Sequence, residues 1–118
     1  MPEVTALQQV HRPQLQGHVV QHSDAQHLLI IDGAVVLFSR SDYEVLLPLF
    51  KHAGEPVPFS QLRGKQGRQA LTRGIRRSLT QQMSRLRPRL WPFGLDILCL
   101  NSYGYLLLCR TDENVEGN

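Results

Sequence analysis

The chain has 118 residues, 42% of them apolar, and a formal net charge of +3, which fits one compact globular domain with short tails and excludes two ordinary domains. No apolar run approaches the roughly 18 residues of a membrane span, and the amino terminus lacks the apolar segment of a signal peptide. We therefore expect a cytoplasmic protein without membrane contact. Cys99 and Cys109 stand in apolar runs, which predicts buried thiols rather than a disulfide or a metal site.

The amino-terminal third of the chain is interpreted as an arm followed by a small sheet. Residues 1–16 are rich in glutamine and lack apolar periodicity, so they predict a flexible arm. The runs "HVVQH", "HLLII" and "AVVLF" then predict three antiparallel strands, and Asp32-Gly33 predicts a tight hairpin turn between the last two. His18, His22 and His27 lie in these strand-like runs, so we interpret them as surface or half-buried histidines rather than metal ligands.

Two helices are predicted next. In "FSRSDYEVLLPLFKHAG", Ser39 or Ser41 can cap the first helix, Asp42 suits its first turn, and Gly54 ends it. Pro48 inside it should kink or loosen the helix. The predicted buried stripe consists of Tyr43, Leu46, Leu47 and Phe50. A short second helix should open near Pro58 with Phe59 and Leu62 inward, and a loop with two glycines follows over residues 64–73.

The third helix, predicted over residues 72–90, carries most of the positive charge. Nine of the 13 Lys and Arg residues lie between positions 61 and 90, and no Asp or Glu occurs from position 56 to 95. At about 100° per residue, an apolar stripe separates from a polar face. The stripe comprises Ile75, Leu79, Met83, Leu86 and Leu90; the opposite face comprises Arg77, Thr80, Gln81, Ser84 and Arg85; and Arg76, Arg87 and Arg89 flank the stripe.

This polar face suits nucleic acid. Arginine can contact phosphates or guanine, glutamine can pair with adenine, and serine or threonine can contact backbone or base edges. A helix fits the major groove of DNA, whereas the deep, narrow groove of A-form RNA excludes it. An arginine-rich solvated face is the alternative for such a helix taken alone. The length of the acid-free stretch, and the hairpin predicted after the helix, favour a polyanion partner.

The carboxyl-terminal part should form a hairpin over residues 97–108, from "LDILCL" and "YLLLC" joined by "NSYGY", and a frayed acidic tail over residues 111–118. The remaining candidates for chemistry are weak. "GKQGR" lacks the strand–loop–helix context of a phosphate-binding loop. No nucleophile has a base and an orienting group nearby in the sequence, and no carboxylate pair stands out. We therefore expect no enzyme activity and no cofactor.

Four segments in this order resemble the winged-helix DNA-binding domain of OmpR/PhoB-type response regulators. They are "IDGAVVLFSRSDYEVLLPLF", "GEPVPFSQL", "RSLTQQMSRLRPRL" and "ILCLNSYGYLLL", the last placing Gly104 and Tyr105 on the Gly-Tyr of the family's wing signature. The resembling stretch covers residues 17–109 of a domain predicted over 17–110. The family wing has arginine followed by glycine where this chain has Asn101 and Ser102, and Pro88 replaces a basic residue. No receiver domain precedes the segment, so we expect either a stand-alone regulator or one domain of a longer chain.

The resemblance implies an α+β winged helix-turn-helix: an antiparallel β platform, three helices, and a hairpin wing. It implies sequence-specific binding of double-stranded DNA by a nucleoid-associated transcription regulator, with the third helix in the major groove. The implied DNA-contacting residues are Arg73, Arg76, Arg77, Thr80, Gln81, Ser84, Arg85, Arg87, Asn101 and Tyr103. The loop over residues 63–73 is where some relatives touch RNA polymerase, and binding of two copies as a homodimer on tandem sites is left open.

Two other functions remain open at this point. A winged helix can serve as a protein-interaction module that docks RNA polymerase or a regulatory partner, which the arginine-less wing favours. RNA binding is a third class. Competition between duplex DNA and structured RNA would separate it from DNA binding.

Overall fold

The structure is a computed structural model that describes residues 7–62 and 73–110. The predicted tail and most of the predicted polymerase loop lie outside the described residues. The first part contains β1 (Gln8–Val10), β2 (Val20–Ser23), β3 (Leu28–Ile31), β4 (Ala34–Leu37), α1 (Arg40–Lys51), β5 (Val57–Pro58) and α2 (Phe59–Leu62). The second contains α3 (Arg73–Leu90), β6 (Leu95–Leu100) and β7 (Gly104–Cys109). Platform, helices and hairpin confirm the predicted α+β fold class.

The amino-terminal sheet is antiparallel, with the strand order β1-β2-β3-β4. Its predicted turn is confirmed: Ile31 pairs with Ala34, and the two residues between them, Asp32 and Gly33, have φ angles of 52° and 88°. Positive φ at both central positions is the geometry that this turn type requires. The three predicted strands are therefore present as β2, β3 and β4.

The structure corrects the predicted arm, because residues 8–15 belong to the folded domain. β1 pairs with β2 over three residues, and Val10 and Leu15 are 7% and 2% exposed. The glutamines of β1 have no apolar alternation that would mark a strand. Strand formation here depends on the hydrogen bonds offered by the edge of β2 and on the burial of Val10 and Leu15 in the core. The core residues that bury them lie far along the chain, so the local sequence does not indicate the strand.

Helix α1 begins where its cap predicts. The Ser39 hydroxyl oxygen accepts a hydrogen bond from the Asp42 amide at 3.1 Å, which satisfies one of the free amides of the first turn. The predicted stripe is buried at Tyr43, Leu46 and Phe50, whereas Leu47 is only partly buried. Pro48 lies within the helix. The predicted inward residues of α2, Phe59 and Leu62, are both buried.

Two histidines at the amino-terminal sheet are held by hydrogen bonds: His18, which is half-buried as predicted, and His22, which is buried instead. His22 is 2% exposed, and its Nδ1 lies 3.0 Å from both the Asp24 carboxylate and the Tyr43 hydroxyl. The Tyr43 hydroxyl also donates to Asp24, and this bond lowers the pKa of that carboxyl group. His18 Nδ1 lies 2.6 Å from the Asp32 carboxylate. Among the described residues, no group of three potential ligands could hold a metal ion.

The second sheet has the order β5-β7-β6 and contains the predicted hairpin. A side chain at Gly104 is excluded, since its Cβ would lie 1.8 Å from the Val57 carbonyl oxygen. Cys109 is buried as predicted. Cys99 is exposed instead, because it lies in the second half of β6, which extends beyond the core. Within the described residues, no helix combines the length and apolarity needed to cross a membrane.

Candidate nucleic-acid interface

The inner face of α3 fixes the helix in the core. Leu79, Met83, Leu86 and Leu90 are 5%, 2%, 1% and 0% exposed, and Ile75 packs partly buried against the same core. This confirms the predicted apolar stripe. A helix held along its whole length in this way presents its opposite face in a defined orientation.

Helix α3 runs through Pro88 and ends at Leu90, and a 3-10 turn, Trp91–Phe93, follows. The predicted carboxyl-terminal end of this helix, at residue 90, is thus confirmed. Proline removes one intrahelical hydrogen bond. Burial of Leu86 and Leu90 on either side of it offsets that loss.

The outer face of α3 is exposed over about three turns. Arg73, Arg77, Gln81 and Ser84 are all exposed, and their spacing of four, four and three places them along one face. Within the described residues, neither Arg73 nor Arg77 has a hydrogen-bond or ion-pair partner for its side chain. Arg73 and Arg77 also line, with Arg76 and Thr80, a shallow depression of about 490 Å³. We call this surface the outer face.

Arg76 and Thr80 lie where the outer face meets the second sheet. The Arg76 guanidinium lies 5.2 Å from the centroid of the Phe59 ring, a cation–π distance. The Thr80 hydroxyl donates to the Arg76 carbonyl oxygen at 3.0 Å and lies 3.4 Å from the Tyr105 hydroxyl. Burial raises the pKa of the Tyr105 phenol. Because the Thr80 hydroxyl donates to Arg76, the Tyr105 hydroxyl is the donor of this second contact.

Gln82 links α3 to the start of α1. Its Nε2 donates to the Asp42 carboxylate at 2.7 Å and to the Ser41 hydroxyl at 3.1 Å, and the residue is 8% exposed. Arg85, predicted to contact DNA, lies 4.0 Å from the same Asp42 carboxylate and keeps a side chain that is 65% exposed. Gln82 is not among the residues that the sequence pattern predicted to matter. Its spacing from Leu79 and Leu86 was a signal of burial.

Arg87 and Arg89 are engaged within the domain. Arg87 Nε and Nη2 donate to the two carboxylate oxygens of Asp96 at 2.9 and 3.3 Å. Arg89 Nη2 donates to the Leu37 carbonyl oxygen at 2.7 Å, with its guanidinium 4.4 Å from the centroid of the Phe38 ring. The stretch of sequence without acids is therefore not without acids in the folded domain. Asp42 of α1 and Asp96 of β6 both contact α3.

The predicted wing residues lie at the tip of the second hairpin. Asn101 is exposed and Tyr103 is 50% exposed. The Tyr103 carbonyl oxygen accepts a hydrogen bond from the Phe59 amide at 2.8 Å, which ties the tip to the first residue of α2. Asn101, Ser102 and Tyr103 present no charge, in contrast to the outer face of α3.

Two solved structures are similar to this fold. The DNA-binding domain of RstA from Klebsiella pneumoniae, solved in complex with the RstA box, is 24% identical over 75% of this chain and 90% of its own, with a TM-score of 0.56. The C-terminal effector domain of BfmR from Acinetobacter baumannii is 23% identical over 90% of this chain and 93% of its own, with a TM-score of 0.52. The likeness confirms the winged-helix fold of the OmpR/PhoB type. The sequence matches no protein-family model and no curated protein.

Proposed function

We propose that this chain binds double-stranded DNA sequence-specifically as a transcription regulator, with α3 in the major groove. The observation that carries the proposal is the outer face: exposed Arg73 and Arg77, without carboxylate partners among the described residues, beside exposed Gln81 and Ser84 on a helix whose other face is buried. Cations to neutralise phosphates and amide or hydroxyl groups to contact base edges are the inventory of a recognition helix. The likeness to a domain solved on its DNA box supports this reading.

The proposed roles differ along the surface. Arg73, Arg76 and Arg77 contact phosphates or guanine; Gln81, Ser84 and Arg85 contact base edges or the adjacent backbone; and Thr80 packs at their margin. Asn101 and Tyr103 of the wing approach the backbone or the minor groove without charge. Two copies on tandem sites, and a contact of residues 63–73 with RNA polymerase, extend the proposal. A cytoplasmic, nucleoid-associated location and the absence of enzymatic chemistry accord with it.

Binding to duplex DNA at several salt concentrations tests the proposal. The logarithm of the association constant should fall with the logarithm of salt, and Arg77→Ala should make the slope shallower by about 0.9, because one phosphate contact is lost. Arg40→Ala is the matched control. It removes the same charge from α1, where Arg40 pairs with Glu44 at 3.2 Å, and should leave the slope unchanged. Duplex binding without salt dependence at low ionic strength would contradict the proposal.

Selection from a pool of random duplexes tests sequence specificity. The wild-type chain should enrich a defined site, and Gln81→Ala should relax the preference at one position, because a bidentate contact to a base discriminates by about 1–3 kcal/mol. A selected pool that stays random would show phosphate binding without base recognition.

A protein-interaction module is the second candidate, and the uncharged wing tip favours it. In this case the chain should bind purified RNA polymerase in the presence of nuclease. Tyr103→Ala should weaken that binding, because Tyr103 is 50% exposed, and Arg77→Ala should leave it intact. Association with polymerase that is lost when nuclease is added would support the DNA-binding function.

A further inference from the structure

Among the described acids, Asp96 is distinguished by a two-point pair with an arginine of α3. Arg87 donates to both of its carboxylate oxygens, at 2.9 and 3.3 Å. The Ile97 amide donates to the same carboxylate at 2.8 Å, which fixes its orientation. The Asp96 side chain is 12% exposed, so water competes little for it. Such fork-like pairs are the strong, geometrically specific form of arginine hydrogen bonding.

Arg87 lies beside the outer face, where an unpaired arginine would meet DNA. Ser84 of the outer face lines the same groove as Arg87, Pro88 and Trp91, about 470 Å³ in volume. The Arg87 side chain is 50% exposed, so a phosphate at this surface could reach it. Its Nε and Nη2 groups, however, are already occupied by a carboxylate that presents two oxygens as a phosphate would.

We propose that Asp96 withholds Arg87 from the DNA backbone and so lowers the affinity of the domain for DNA of every sequence. The inference rests on the DNA-binding function proposed above. A phosphate contact strengthens binding to every sequence equally and carries no base information. Withholding one such contact lowers the affinity for random DNA while leaving base-reading residues such as Gln81 untouched. The ratio of specific to non-specific affinity is unchanged, and the domain binds DNA of any sequence less tightly than it would with Arg87 on a phosphate.

Arg85 shows by contrast what is distinctive about Arg87. Its nearest described carboxylate, Asp42, is 4.0 Å away and already accepts a hydrogen bond from Gln82 at 2.7 Å. The Arg85 side chain is 65% exposed. One arginine of the carboxyl-terminal half of α3 therefore stays available to DNA, while its neighbour two positions on is held.

The test measures the salt slope of binding to a duplex of random sequence. Asp96→Asn should steepen the slope by about 0.9, so that affinity falls about 3.5-fold more between 50 and 200 mM salt, because Arg87 gains a phosphate. Arg87→Ala alone should leave the slope at the wild-type value. The double variant Asp96→Asn with Arg87→Ala should lose the gain, and Asp96→Glu should keep the wild-type slope. Glu55→Gln, which removes a charge beside Arg12, is the control for net charge and should have no effect.

An unchanged slope for Asp96→Asn overturns the inference, as does a slope made about 0.9 shallower by Arg87→Ala alone. If Asp96→Asn fails to fold, as judged by circular dichroism, the slope of Arg87→Ala decides. An unchanged slope supports the inference, and a slope shallower by about 0.9 overturns it. A wild-type chain without salt-dependent duplex binding overturns the proposed function itself. If the wild-type chain binds duplex DNA with a salt slope and Asp96→Asn has the same slope, only the role of Asp96 is overturned.

Discussion

The two halves of α3 are built for different purposes. In the amino-terminal half, residues 73–81, Leu79 is buried, Ile75 is partly buried, and Arg73 and Arg77 have no side-chain partner among the described residues. In the carboxyl-terminal half, residues 82–90, every arginine lies near an acceptor. These acceptors are Asp42 for Arg85, Asp96 for Arg87 and the Leu37 carbonyl for Arg89.

The carboxyl-terminal half of α3 therefore anchors the helix, and the amino-terminal half is available for ligand contact. Four side chains of the carboxyl-terminal half, Gln82, Met83, Leu86 and Leu90, are buried, and they connect α3 to the core and to α1. The amino-terminal half projects its cations from this fixed support. A ligand can therefore approach exposed arginines without disturbing the packing that orients them, which limits the entropic cost of binding.

The largest expected effect is on stability. Leu86→Ala should lower the free energy of unfolding by about 2–5 kcal/mol, because Leu86 is 1% exposed and its removal leaves a cavity. Ile75→Ala, in the amino-terminal half, should cost clearly less, because that side chain is only partly buried. Urea denaturation of both variants measures the difference. Equal losses would mean that the two halves are anchored alike.

Gln82→Ala should lower the free energy of unfolding by about 1–3 kcal/mol, because the Asp42 carboxylate loses a donor at 2.7 Å in a poorly solvated position. Ser78→Ala, an exposed substitution on the same helix, is the control and should change stability by less than about 0.5 kcal/mol. Thermal melts followed by circular dichroism give both values. A Gln82→Ala variant as stable as the control would show that α1 and α3 are joined by apolar packing alone.

Replacing Arg73 and Arg77 together by alanine should affect DNA rather than stability. We expect a salt slope shallower by about 1.8, two phosphate contacts at about 0.9 each, and a free energy of unfolding within about 0.5 kcal/mol of the wild type. Isotherms at several salt concentrations and one urea titration suffice. A large loss of stability would indicate that these side chains have a structural role.

Arg89→Ala should give the smallest effect, about 1 kcal/mol of stability, from one hydrogen bond to a carbonyl and one contact with the Phe38 ring. Its effect on the DNA salt slope should be close to zero, since the guanidinium is turned towards β4. Arg89→Lys should recover only part of the stability, because lysine lacks the planar fork. A slope that becomes shallower by about 0.9 would instead place Arg89 on a phosphate.

Local patterns in the sequence predicted much of the fold. The Asp32-Gly33 turn, the Ser39 cap and the stripe through Leu86 each depend on neighbours a few positions away, and all are confirmed. The sequence pattern did not predict β1, because the residues of β1 show no apolar alternation and its pairing depends on β2. The partners of Arg85 and Arg87 were missed for the same reason. Asp42 lies 43 positions from Arg85, and Asp96 is brought to Arg87 only by the turn after α3.

The hydrogen bond between Arg89 and Leu37 also bears on how the protein behaves in a crowded solution. Among the described strands, β4 pairs only with β3 and forms an edge of the sheet, and its Val35 and Leu37 side chains are 60% and 62% exposed. Because the Phe38 amide bonds to the His27 carbonyl, the carbonyl of Leu37 points away from β3. An unpaired, apolar edge invites another chain to add a strand. Arg89 donates a hydrogen bond to that carbonyl and places a positive charge at the edge. The contact that joins α3 to β4 therefore also disfavours the addition of a strand from another chain.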